Sequence, residues 1–122
     1  MAKGSLSTHV LDTTTGKPAT GVQVELQRDG QVIASGVTDA DGRIRELGRD
    51  LDAGRYRLIF DTKSYLAEPR SGGHAPETSE PGGLTPEAYF FSRVALDVDL
   101  GATHTHVPLL LSRFGVTSYR GS

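Results

Sequence analysis

An all-β sandwich is predicted by three features of the sequence. Short runs of Val, Leu, Ile and Thr are cut at close intervals by glycine and proline, 15 and 6 of them in 122 residues. Several of these runs alternate apolar and polar side chains, the period of two that gives a strand one buried and one wet face. Turn chemistry of the Asp-Gly kind stands between neighbouring runs. The length predicts one domain, 1–122, that buries roughly 65% of its unfolded surface around one core.

The elements follow in order. From Leu6 to Asp12 the residues Leu6, Thr8, Val10 and Asp12 fall on one face of a first strand, and Ser7, His9 and Leu11 on the other. Thr13–Gly21 is a loop by its turn residues. In the second strand Val22, Val24 and Leu26 alternate with Gln23, Glu25 and Gln27, and Asp29-Gly30 turns the chain into a third strand, Val32–Val37. Thr38–Gly42 is a second tight turn that delivers Arg43-Ile44-Arg45 to a short strand, and Gly48–Ala53 is expected to be a polar connector. Gly54–Phe60 places Tyr56, Leu58 and Phe60 on one strand face. Asp61–Glu68 is the one plausible helix, with Asp61 as N-cap and Pro69 as its stop. Glu68–Glu87, rich in Gly, Pro, Ser and Glu, is expected to be a mobile surface loop. Ala88–Leu100 and Thr103–Ser112 give the last strands.

Composition excludes several classes of function. The net charge of −2 offers no basic excess for nucleic acid or anionic membrane. The absence of cysteine removes disulfides and thiolate metal sites. No apolar run approaches the ~20 residues that span a bilayer, and the first residues lack an apolar signal core. A soluble cytoplasmic protein is the expectation.

Few residues are equipped for chemistry. His104 and His106 share a strand face, opposite the apolar Val107, Leu109 and Leu111, so both imidazoles point outward or into an interface. They are either two solvated surface histidines or a pair able to hold zinc. His9, among hydroxyl residues, is alone more often a structural histidine than a catalytic one. Arg43 is, in isolation, an exposed charge at a strand start. Asp39-x-Asp41-Gly42 lacks the ligand spacing of a calcium loop and reads as a plain turn. The final Tyr119-Arg120-Gly121-Ser122 is unusually well furnished for a tail. A guanidinium fork suits a planar, carbonyl-rich ligand, and glycine lets backbone approach closely.

Taken in order, these motifs resemble the 5-hydroxyisourate hydrolases, the transthyretin-related proteins. The resemblance is carried by Ser7-Thr8-His9-Val10-Leu11-Asp12, Thr38-Asp39-Ala40-Asp41-Gly42-Arg43-Ile44, Gly54-x-Tyr56-x-Leu58-x-Phe60, His106-Val107-Pro108-Leu109-Leu110-Leu111-Ser112 and the terminal Tyr119-Arg120-Gly121-Ser122. The last is the most specific, because transthyretin, the hormone carrier of the same fold, lacks it. The chain departs from the family pattern at Thr105, Arg113 and Ser92 and in a long polar Glu68–Glu87 stretch, and His104 has no place in that pattern.

The resemblance implies a transthyretin-like β-sandwich of about eight strands with one short helix, assembled as a homotetramer with active sites where dimers meet. It implies ring-opening hydrolysis of 5-hydroxyisourate, a product of urate oxidation, without metal or cofactor. It implies catalytic roles for His9, Arg43, His106 and Ser122, with Tyr119, Arg120 and Gly121 shaping the substrate site. In that scheme either His9 or His106 takes the proton of a water, and Arg43 faces the oxyanion. Two other classes carry parts of the pattern: a transthyretin-like carrier that holds a small ligand without turning it over, and a structural β-sandwich module.

Overall fold

The computed structural model describes residues 3–67 and 89–121. Along them run β1 (Gly4–Asp12), β2 (Lys17–Pro18), β3 (Gln23–Arg28), β4 (Gln31–Val37), β5 (Arg43–Leu51), β6 (Gly54–Asp61), the six-residue α1 (Thr62–Ala67), β7 (Val94–Leu100), β8 (His104–Leu111) and β9 (Val116–Ser118). They form two sheets. In the first, β1 lies parallel to β8 from Ser5 to Asp12, and β9 continues the sheet beyond β8. The opposite edge of β1 is antiparallel to β5 and then to the two-residue β2. The second sheet is antiparallel throughout, in the order β4-β3-β6-β7.

The core lies between the sheets and is built from the faces that alternation predicts. Leu6 and Val10 of β1, Val24 and Leu26 of β3, Leu58 and Phe60 of β6, and Leu109 and Leu111 of β8 are fully buried. Each such side chain contributes about 1.5–3 kcal/mol over an exposed one. At the β3–β4 hairpin Asp29 and Gly30 have φ of 52° and 80°, the left-handed pair of a type I′ turn.

Three boundaries differ from the sequence expectation. The Gly48–Ala53 stretch is not a connector, because β5 runs on to Leu51. Its polar residues hide a strand whose Leu47 and Leu51 are buried, and irregularities in its pairing with β1 break the strict alternation. Residues from Tyr89 to Arg93 precede β7 without joining a ladder. Their backbone groups are engaged elsewhere: the Phe90 amide donates to the Arg113 carbonyl at 2.7 Å, and the Ser92 carbonyl accepts from the Lys63 amide at 3.0 Å. The chain also forms β9, which its short Val-Thr-Ser run does not announce. The whole Glu68–Glu87 loop expectation lies outside the described residues.

Among the described residues one carboxylate is built into this core. Asp12 is fully buried, as its place on the apolar face of β1 requires. Its carboxylate accepts from the hydroxyls of Tyr65 at 2.5 Å and Tyr89 at 2.6 Å, and from the amide of Thr14 at 3.0 Å. Removing the carboxylate strands these donors away from water. Asp12→Ala is expected to cost about 3 kcal/mol and to lower the Tm by about 10 °C. Calorimetry checks this, and an unchanged Tm would show that the network carries no stability.

Candidate active site

β1 is the strand that organises the site. One of its faces enters the core, and the other presents Ser5, Ser7 and His9 outward. Parallel pairing sets Ser5 beside His104 and Ser7 beside His106. On the other edge, antiparallel pairing sets His9 opposite Arg43. Three strands thus bring together on one sheet face the residues His9, Arg43 and His106, which are far apart in sequence. Ser7, Thr8, Arg43, Arg45 and His106 line a shallow cavity of about 140 Å³ there.

The Thr38–Gly42 turn fixes Arg43. The Asp39 carboxylate accepts from the amides of Asp41 at 2.8 Å and Arg43 at 3.0 Å. These amides, the Arg43 one first, hold the Asp39 carboxyl below its ordinary value. Asp39 is therefore a turn-forming residue, which agrees with the plain-turn expectation. Gly42 has a φ of 73°, and a Cβ there would stand 2.5 Å from the Val10 carbonyl oxygen. Only glycine lets the turn press onto β1, where the Val10 amide donates to the Gly42 carbonyl at 2.7 Å.

His106 is held from two sides. Its Nδ1 lies 2.7 Å from the Ser7 hydroxyl, which is also 2.9 Å from Nε2 of His104. Nδ1 of His104 lies in turn 2.6 Å from the Ser5 hydroxyl. On the other side, the Gly121 amide donates to the His106 carbonyl at 2.7 Å. A Cβ on Gly121 would come within 2.9 Å of the imidazole Cδ2, so glycine is the residue that allows this approach. Nε2 of His106 has no hydrogen-bond partner among the described residues.

Burial and charge lower the pKa of both imidazoles. Partial burial is the larger cause that lowers the His9 pKa below 6.5, and the Arg43 guanidinium is the second. A backbone hydrogen bond with Asp41 pulls the other way. His106 is lowered by burial first, then by the charges of His9, Arg43 and His104. Arg43→Gln removes a positive charge facing His9, so the His9 titration midpoint is expected to rise. Imidazole proton shifts followed by NMR would show it, and an unmoved midpoint would mean that the guanidinium field is screened.

Within the single chain the tail divides. Gly121 pairs with His106 and Ser118 with Leu109. Continuing that register puts Arg120 opposite Val107, on the inward side of β8. Tyr119 and Arg120 line a different cavity of about 350 Å³, with Asp97, Asp99, Thr105 and Val107, at the edge where β7 faces β8. Within one chain both Tyr119 and Arg120 line this second cavity, and neither lines the hollow beside His106 and Arg43, the site they are expected to shape. Ser122 lies outside the described residues.

The HIUase/Transthyretin family model matches residues 6–121. The chain belongs to this family. A 5-hydroxyisourate hydrolase of Mesorhizobium japonicum is 39% identical to this family member, over 98% of this chain and 93% of the relative. A solved structure of Klebsiella pneumoniae 5-hydroxyisourate hydrolase is 38% identical, with a TM-score of 0.77 and coverage of 98% of this chain and 99% of that one. A transthyretin from Sparus aurata is 31% identical, with a TM-score of 0.72 over 95% of each chain. The transthyretin-like sandwich is thus shared with family members of both names.

Sequence reasoning singles out His9, His106 and Arg43 of this HIUase/Transthyretin chain, which the strand pairing brings onto one face, but not Ser7, Arg45 or the contact made by His104. The signal for Ser7 was present, since it shares the outward face of β1 with His9. Nothing in the sequence alone says that β8 runs beside β1, and that neighbour gives Ser7 its partners.

Proposed function

We propose that the protein is a 5-hydroxyisourate hydrolase, which adds water to an amide carbonyl of the six-membered ring and opens it to 2-oxo-4-hydroxy-4-carboxy-5-ureidoimidazoline. The observation that carries this reading is the convergence of His9, Arg43 and His106 on one sheet face. His106 is the general base: Ser7 holds its Nδ1, and Nε2 is left to take the proton of the attacking water. The Arg43 guanidinium stabilises the charge that develops on the carbonyl oxygen. As the C–N bond breaks, the proton on Nε2 passes to the leaving ring nitrogen. His9, across the ladder from Arg43, orients the water. Tyr119, Arg120, Gly121 and Ser122 complete the substrate site.

A hollow of about 140 Å³ is small against the ~300–1,000 Å³ of sites that enclose a ligand. We therefore assign the closed site to a homotetramer in which other copies of the chain cover this face. Among the described residues no helix is long and apolar enough to cross a membrane, and we place the reaction in the cytoplasm.

Urate and a urate oxidase generate the substrate, and its decay is followed by absorbance with and without the protein. Acceleration over spontaneous decay is the expected result, and its absence would leave ligand carriage as the function. The acid limb of kcat/KM is expected below pH 6.5, since both imidazoles resist protonation.

A further inference from the structure

We propose that Ser7, His104 and Ser5 form a proton relay that joins His106 to solvent, with Ser7 and His104 as positioning residues for the base. This rests on His106 being the base, as argued above. The observation is a continuous chain of short contacts from Nδ1 of His106 to the Ser7 hydroxyl, to Nε2 of His104, and from its Nδ1 to the Ser5 hydroxyl. Ser7 is buried at the inner end, and His104 is exposed at the outer end.

Each hydroxyl has one proton, and each neutral imidazole has one. Because the buried Ser7 hydroxyl must donate within the chain, two arrangements are consistent. In one, Ser5 donates to Nδ1 of His104, Nε2–H of His104 donates to Ser7, and Ser7 donates to Nδ1 of His106. The His106 proton is then on Nε2, and the base is blocked. In the other, every bond is reversed: His106 Nδ1–H donates to Ser7, Ser7 to His104 Nε2, and His104 Nδ1–H to Ser5. This second arrangement is the one that leaves a lone pair on Nε2.

A proton arriving at Nε2 from the attacking water converts the second arrangement into the first. The Nδ1 proton moves to Ser7, the Ser7 proton to His104 Nε2, the His104 Nδ1 proton to Ser5, and the Ser5 proton to solvent. One proton enters and one leaves, and both imidazoles end neutral. When Nε2–H protonates the leaving nitrogen, Ser5 takes a proton from solvent and the chain resets. The advantage is electrostatic: without the relay the base would become an imidazolium in a cavity it shares with the guanidiniums of Arg43 and Arg45.

The test is His104→Gln, at an exposed position where folding is not at risk. Glutamine keeps a donor and an acceptor but does not pass protons on. We expect kcat to fall about tenfold with KM nearly unchanged. Added imidazole should restore most of the loss, after subtraction of buffer-catalysed decay. In H2O/D2O mixtures the rate should be a curved function of deuterium fraction for the wild type and a straight one for His104→Gln. Ser7→Ala should behave in the same way. Wild-type kcat and an unchanged isotope curve in His104→Gln would overturn the relay. If His106→Ala were inactive alongside, the site assignment would stand and the relay alone would fall. A fully active His106→Ala would instead remove the base assignment on which the relay depends.

Discussion

Replacing Arg43 with Ala is expected to lower kcat/KM for 5-hydroxyisourate by about 10³-fold, the loss typical of removing a principal oxyanion donor. Stability should hardly change. Arg43 is exposed at the start of β5 and has no carboxylate partner within 4.0 Å among the described residues. The bonds that hold the turn use its backbone amide, which the substitution keeps. Arg43→Lys separates charge from geometry: it keeps the charge and loses the planar fork, so it should fall between the wild type and the alanine variant. Steady-state kinetics beside a thermal melt decide the matter. A stable Arg43→Ala protein with normal turnover would remove the guanidinium from the mechanism.

His106→Ala is expected to lower kcat by about 10³-fold, within the range for losing a general base. Here too the fold should survive. The backbone bond from Gly121 is to the His106 carbonyl, and Ser7 retains His104 as a partner. His9→Ala should cost less, because orienting a water is a smaller contribution than taking its proton. If the order were reversed, with His9→Ala the more damaging, the two imidazoles would exchange roles. The double variant should lose far less than the product of the single losses, as groups that act in one step do.

The strands and the core faces were legible because alternation is a local property: Val24, Leu26, Leu58 and Phe60 announce their burial within a few residues. Motif order singles out His9, Arg43 and His106, and pairing of three strands brings them onto one face. The rest depends on which strands become neighbours. β5 was read short because pairing irregularities disguise its alternation. His104 has no place in the family pattern, and its partners, Ser5 and Ser7, lie at the other end of the sequence, so nothing near it in the sequence announces its contacts. The resemblance groups Tyr119 and Arg120 with Gly121, and within one chain Gly121 lies against His106 while Tyr119 and Arg120 line the cavity between β7 and β8.

The parallel pairing of β1 with β8 also bears on how the protein is made. Ser7 and His106 are 99 positions apart, so closing that contact means closing a loop of almost the whole domain. Non-local parallel pairing of this kind is slow to nucleate. During synthesis β1 emerges early and must wait for β8, its polar face and apolar face both without neighbours. The local β3–β4 hairpin can form meanwhile, and the β6 pairing can follow. Catalytic competence is then among the last properties the nascent chain acquires, and the first sheet is the part whose folding a chaperone would have the most reason to guard.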